Sequence, residues 1–241
     1  VSVPAKRSDF DLEISACGGV RAPLAGLLAL FRPAGTLWLE ASRTLLAADL
    51  HLEKGSAFAA RGQMLPPYDT AETLARLERE TDALNPARIV LLGDSFHDGG
   101  GEARLSDCDA ARLRALARGR TLVWVVGNHD ADGPRHLPGE VVEHLMIGRL
   151  ILRHEPHPGP RAEAAGHLHP AAKVAARGRR VRRRCFITDG ERVVLPAFGA
   201  YAGGLNVRDP AFASLFDGQP VAIALGADRA HAIGWSMLVA D

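Results

Sequence analysis

Four short apolar runs, each ending on Asp, His or Asn, constrain this chain more than any other feature. Leu45-Leu46-Ala47-Ala48 leads into Asp49-Leu50-His51, and Ile89-Val90-Leu91-Leu92 into Gly93-Asp94-Ser95-Phe96-His97-Asp98. Leu122-Val123-Trp124-Val125-Val126 leads into Gly127-Asn128-His129-Asp130. Leu150-Ile151-Leu152 precedes His154, and Gly166-His167-Leu168-His169 follows shortly after. Short runs of Leu, Val and Ile closed by turn residues read as buried strands, which predicts strands over 44–48, 88–92, 121–126 and 150–152. Strands buried on both faces need covering layers. Segment 70–84 supplies one: Asp69 or Thr70 can cap it, Leu74, Leu77 and Leu84 mark one face, and Pro86 follows its end. Segment 107–118 supplies another, with Leu113 and Leu116 inward and Gly119 as its stop.

Beyond Leu150 strand signals dominate, over 181–188, 192–195 and 221–225, punctuated by Gly190, Pro196, Gly218 and Pro220. The chain therefore predicts an α/β fold of two sheets with helices outside, the second sheet the more antiparallel. With 241 residues, no internal repeat and no low-complexity linker, it reads as one domain over 1–241, its motifs in 47–170 and a strand-rich part in 171–241. Lys and Arg total 29 against 28 acids, so no global charge argues for nucleic acid or membrane. Three widely spaced cysteines exclude a disulfide framework and a thiolate zinc site. The longest apolar run, around Leu24 to Phe31, is too short to cross a bilayer. The expectation is a soluble, cytoplasmic protein with no membrane partner.

Each polar cluster has a bland reading. Asp49 and His51 can be surface residues near a strand end, Gly93-Asp94 an ordinary turn, Asn128-His129 a loop of Asx turns, and His167-Leu168-His169 a plain loop. The functional reading is that residues two apart in an extended segment face the same way. Asp49 with His51, and His167 with His169, can then converge on one ion. The glycine before Asp94 lets the backbone turn sharply and aims the acid into the mouth of the sheet. The joint order is far more specific than any piece: Asp-x-His, Gly-Asp, Gly-Asn-His-Asp, then a His before Gly-His-x-His.

In that order the motifs resemble those of the calcineurin-like metallophosphoesterase superfamily, over roughly residues 47–170. The resemblance implies a four-layer αββα sandwich of two mixed β-sheets flanked by helices, and two divalent metal ions. It implies that Asp49, His51 and His169 hold one ion, that Asp94 bridges, and that Asn128, His154 and His167 hold the other. His157, in the proline-rich loop beyond, is the alternative to His154, which closely follows an apolar run. His129 matches the family's histidine that is not a ligand but contacts the substrate phosphate and can protonate the leaving group. His97 and Asp130 would be its supporting partners, fixing ring orientation. Oxygen and imidazole donors suit Mn, Fe, Zn or Co rather than Ca. Such a pair, about 3.5–4 Å apart, activates water for in-line attack on phosphorus.

Further stretches resemble one branch, the DNA-ligase-associated metallophosphoesterases (PdeM): 44–51, 92–97, His154-Glu155-Pro156, 166–170, and Leu195-Pro196-Ala197-Phe198-Gly199 with Gly203-Gly204. That resemblance implies a manganese-dependent phosphodiesterase cutting single-stranded DNA internally in DNA repair. It also implies an association with an ATP-dependent DNA ligase, a helicase and an exonuclease. The basic run 173–184 follows the His167/His169 loop and can track a phosphate backbone through Lys173, Arg177, Arg179 and Arg180, with Lys54 and Arg61 adding to the rim. A solvated arginine-rich hairpin is its alternative. Two rival functions stand beside this one. A small-molecule phosphomonoesterase or nucleotide pyrophosphatase would close a narrow pocket with loops 131–148 or 155–165, and a non-catalytic scaffold would lack ligands that are present here.

Overall fold

The computed structural model describes residues 12–159, 161–176 and 179–241. Its first sheet is laid down in chain order: β1 (Glu13–Ile14), β2 (Val20–Leu24), β3 (Leu27–Phe31), β4 (Leu37–Leu39), β5 (Thr44–Ala48), β6 (Arg88–Leu92), β7 (Thr121–Val125) and β8 (Glu140–Val142). Pairing is antiparallel as far as β5 and parallel from β5 to β8. Helices α1 (Lys54–Ala59) and α2 (Asp69–Leu84) connect β5 to β6; α3 (Gly101–Arg104) and α4 (Asp107–Leu116) connect β6 to β7.

The second sheet comprises β9 (His144–Ile147), β10 (Leu150–Arg153), β11 (Glu163–Ala165), β12 (Pro170–Ala176), β13 (Arg179–Thr188), β14 (Arg192–Val194), β15 (Leu205–Asn206), β16 (Val221–Leu225) and β17 (Ala230–Gly234). Its order is β15-β12-β13-β14-β11-β10-β9; β16 pairs with the Cys185–Thr188 end of β13 on the edge opposite β14, and β17 pairs with β16.

Side-chain alternation along the strands builds the layers. Leu46, Val90 and Val123 of the first sheet meet Leu152, Phe186 and Ile223 of the second between the sheets. There Phe31 and Phe186 pack edge to face at 5.2 Å. The alternate residues Leu45, Ile89, Leu91 and Leu122 face outward, onto Leu74 and Leu77 of α2 and Leu113 and Leu116 of α4. Burying each such Leu contributes about 1.5–3 kcal/mol. The outer face of the second sheet, with Ile187, Val194 and Ala222, is covered by Phe212, Leu215 and Leu238. The regular elements in that layer are the 3-10 turns Pro210–Phe212 and Trp235–Met237. The architecture is the expected sandwich of two mixed sheets, with outer layers of unequal kind.

Several local expectations are corrected. Segments 131–148 and 155–165 are not simple loops, since β8, β9 and β11 lie within them. The strand over 121–126 stops at Val125, and the helix over 107–118 stops at Leu116 and is capped by Ser106, whose hydroxyl accepts the Asp109 amide. Neither Asp69 nor Thr70 caps α2, which begins after Tyr68 with no side-chain cap. They tie down the chain after β5 instead. Asp69 accepts the Gly55 amide at 3.0 Å, and Thr70 accepts the Glu53 amide at 2.8 Å while donating to the Glu53 carboxylate at 2.9 Å. Among the described residues no helix is long and apolar enough to cross a membrane.

Candidate metal centre

Asp49, Asp94, Asn128, His154 and His167 all follow the carboxyl ends of strands, and His169 immediately precedes β12. Main-chain bonds fasten the first two loops together: the Asp49 amide donates to Gly93 at 3.2 Å, His51 to Asp94 at 2.9 Å and Leu52 to Ser95 at 2.9 Å. The second sheet is joined on by Phe198, whose amide donates to Ala48 at 2.8 Å, and Gly199, which donates to Asp49 at 3.1 Å. That support was not anticipated, although the apolar Leu195–Phe198 run closed by Gly199 carries its signal.

The two Asp/His-x-His motifs converge differently from the pleated alternation expected of extended chain. Asp49, His51, Asp94, His167 and His169 all have left-handed backbone, with φ of 54°, 46°, 44°, 68° and 47°. Asp and His tolerate this region better than most residues, yet such conformations cost on the order of 1 kcal/mol or more each and persist where the surroundings impose them. Among the described residues, five of the nine non-glycine residues with positive φ are candidate ligands, so strain is concentrated here. Close packing adds to it. A Cβ on Gly127 would lie 2.2 Å from Asp94 Oδ1, and one on Gly166 2.5 Å from Asp49 Oδ2.

The donor atoms gather in two sets. His51 Nε2 faces His169 Nε2 at 3.2 Å, and His169 Nε2 lies 3.4 Å from Asp49 Oδ1. Asn128 Oδ1 is 2.9 Å from both His154 Nε2 and His167 Nδ1, which are 3.1 Å from each other. Asp94 Oδ1 is 3.5 Å from His154 Nε2, and Asp49 Oδ1 is 3.7 Å from His154 Nδ1, so the carboxylates adjoin both sets. His154 Nδ1 lies 3.2 Å from the Leu92 carbonyl, which can only accept; the ring therefore carries its proton there and turns the Nε2 lone pair inward. Burial, reinforced by the neighbouring His169, pushes His51 down to about 2. Burial, with His154 beside it, also lowers His167. Both rings stay neutral, the state in which imidazole binds a metal.

This donor set fits a pair of cations. Asp49 and Asp94 are buried at 0 % and 3 % exposure, and among the described residues neither has a Lys or Arg partner. Uncompensated buried carboxylates are costly, and so are ring nitrogens turned toward each other. Bound cations relieve both.

The remaining candidates fall into place around it. His157 is exposed and packs on Arg153, so His154 and not His157 joins the donor cluster. His129 is held by its Nδ1, which donates to the His97 carbonyl at 2.7 Å, and its Nε2 is 3.9 Å from Asp94 Oδ2. His97 thus orients His129 through its main chain; its own ring stands 5.6 Å from that of His129. Among the described residues Asp130 bonds to no ring. Its carboxylate accepts the Phe96 amide at 3.1 Å and the Gly127 amide at 3.0 Å, joining the loops after β6 and β7. Burial raises its pKa, opposed by those amides and helped by Asp94. Lys54 donates to the Tyr201 carbonyl at 3.0 Å, and Arg61 is exposed beyond α1. The basic run does not border the site along its length. Register puts Arg184 opposite Ala171, near His169, and Arg179 opposite Ala176, five residues and about 17 Å farther out. Arg179 and Arg180 are exposed at that far end, Lys173 pairs with Asp241 at 3.6 Å, and Arg177 lies outside the described residues.

A search among curated proteins finds no match. Among solved structures, the nuclease MPE of Pseudomonas putida is 27% identical, with a TM-score of 0.67 over 89% of this chain and 100% of its own. YfcE, a phosphoesterase from E. coli, is 16% identical over 80% of this chain and 98% of its own, with a TM-score of 0.40. The family model described as calcineurin-like phosphoesterase matches residues 42–171, which span every candidate ligand. A metal-dependent phosphoesterase is what these strand-end loops build, and the chain belongs to the calcineurin-like phosphoesterase family.

Proposed function

We propose that this phosphoesterase is a manganese-dependent phosphodiesterase that cuts single-stranded DNA internally, within a repair system containing an ATP-dependent DNA ligase, a helicase and an exonuclease. The observation that carries the reading is the likeness to a nuclease across nearly the whole chain. Asp49, His51 and His169 would hold one ion, Asn128, His154 and His167 the other, with Asp94 between. When bound, the pair supplies charge neutralisation at the phosphate and activation of water. The chain's own residues do the rest. His97 fixes the His129 ring through its carbonyl, leaving Nε2 at the open face, where it protonates the departing oxygen. Asp130 keeps the Asp94 and Asn128 loops in register. Lys54 and Arg61 would add contacts to the strand beyond the His51 loop, and Arg179 and Arg180 a more distant one.

A small-ester reading has one observation in its favour. A cavity of about 440 Å³ beside Asn128 and His154, lined also by Glu143, Arg153 and Glu155, has the size of a small-molecule pocket. Manganese-dependent cleavage of circular single-stranded DNA, with Asp94→Ala in parallel, decides between them. Linear products that vanish in the variant are expected. Intact circles with ready hydrolysis of p-nitrophenyl phosphate would move the substrate to small monoesters.

A further inference from the structure

A second basic site lies on the far side of the 197–199 segment. A cavity of about 470 Å³ is lined by Arg32, Arg76, Arg79 and Arg184, against Glu80 and Asp228 as its acids. Glu80 is fully engaged: Arg32 grips it with two bonds of 2.8 Å and the Thr36 hydroxyl adds one of 2.6 Å. Arg76 and Arg184 are different. Neither has a carboxylate partner among the described residues. Arg76 lies over the Phe198 ring at 4.5 Å and donates once, to the Ala34 carbonyl. Arg184 donates from one nitrogen to the Ala197 and Gly199 carbonyls. The other N–H groups of both meet no protein acceptor among the described residues. Burial, with Arg184 adding its repulsion, brings Arg76 down to about 10, and burial lowers Arg184 too. Two half-buried guanidiniums held at one cavity, each with unused donors, are an arrangement that an anion stabilises.

The register shows which end of the sheet this cavity adjoins. Phe31 pairs with Leu37 and Leu37 with Leu46, so the β3–β4 turn carrying Arg32 is at the same end of the sheet as Asp49. Gly199 links the two regions directly, its amide on Asp49 and its carbonyl on Arg184.

We infer that Arg76 and Arg184, with Arg79 at the rim, form a phosphate-binding site separate from the metal centre. Resting on the function proposed above, that phosphate belongs to the same strand, several nucleotides from the scissile bond; a free phosphate ligand is the other source of the same chemistry. Guanidiniums match phosphate oxygens in bidentate geometry, and losing such a contact weakens binding about tenfold.

The test compares wild type with Arg76→Met in the manganese-loaded protein. Inorganic phosphate should raise the melting temperature of wild type more than that of the variant, since any phosphate at the metals contributes equally to both. The KM for a single-stranded 30-mer should rise about tenfold more than that for bis(p-nitrophenyl) phosphate. Phosphate discrimination without the KM effect would keep the site and assign it to a free phosphate ligand. Equal phosphate shifts with equal KM changes would overturn it. The thermal arm decides even if wild type cleaves no DNA. If Arg76→Met melts too low to compare, the exposed Arg79→Gln gives a smaller change in the same direction, and its absence would overturn the site equally.

Discussion

Glu163 in β11 and Asp49 at the end of β5 are both sealed at 0 % exposure, yet their charges are met differently. Glu163 lies between two guanidiniums, Arg192 at 3.1 Å and Arg153 at 3.3 Å, in contacts that are ion pairs rather than aligned hydrogen bonds. Arg192, itself only 1 % exposed, spends its remaining donors on the carbonyls of His157, Gly159 and Leu215. That cluster is neutralised within the chain and holds the 155–165 and 210–215 segments to the second sheet. Asp49 has the His167 amide at 3.0 Å and otherwise faces imidazoles. Glu163 with its arginines is architecture; Asp49, buried among imidazoles without one, is a request for a cation from outside.

The comparison breaks most visibly at the metal centre. Asp94→Ala should cut manganese-dependent hydrolysis of bis(p-nitrophenyl) phosphate by on the order of 10⁴-fold, since metal assistance amounts to several kcal/mol. The metal-free variant should be about as stable as metal-free wild type, because losing the 2.9 Å bond from the His129 amide is offset by removing a buried charge that has no Lys or Arg partner among the described residues. A clear loss of apo stability in urea would show that Asp94 is structural in the manner of Glu163. Next, His129→Ala should lower turnover about 10³-fold with both ions retained, as expected of a proton donor that binds no metal. Metal analysis of the purified variant checks the second half. Arg192→Met strands Glu163 without its main partner and should cost about 3–5 kcal/mol with or without manganese. Parallel urea curves test that independence. The smallest effect sharpens the contrast: manganese at about 100 times its Kd should stabilise wild type and Arg192→Met by ~2.7 kcal/mol and Asp94→Ala by much less.

Both the order of the ligand motifs and the strands that carry them were legible in the sequence, because parallel strands buried on both faces must be apolar throughout. Expected bounds at 44–48 and 88–92 match β5 and β6. The hairpins before β5 were not legible. The β2–β3 turn uses Ala25 and Gly26 at φ of 51° and 80°, a left-handed pair where Asn-Gly or Asp-Gly would have announced it. Leu27–Phe31 is apolar with no alternation that marks a strand. At the site, pattern named the residues but not their backbone, since left-handed Asp and His look in sequence like any strand end. Phe198 and Arg184 were named in the sequence, but their meeting with Arg76 was not legible, because it depends on α2, the 195–199 segment and β13 arriving together.

The order of strands in the first sheet has a kinetic consequence. Its hairpins β2–β3 and β3–β4 close short loops and form early, but Thr44 meets Arg88, and Arg88 meets Thr121, only across intervening helices. In the second sheet Glu163 meets Arg192, Pro170 meets Leu205 and Cys185 meets Ala224 across comparable stretches of chain. Asp49, His51, Asp94 and Asn128 follow strands of the first sheet, and His154, His167 and His169 lie in the second. The donor set therefore needs the long-range pairings of both sheets and is completed late in folding. Ions bound there act on the barrier to opening: added manganese should slow unfolding in denaturant jumps and leave the refolding rate where it was.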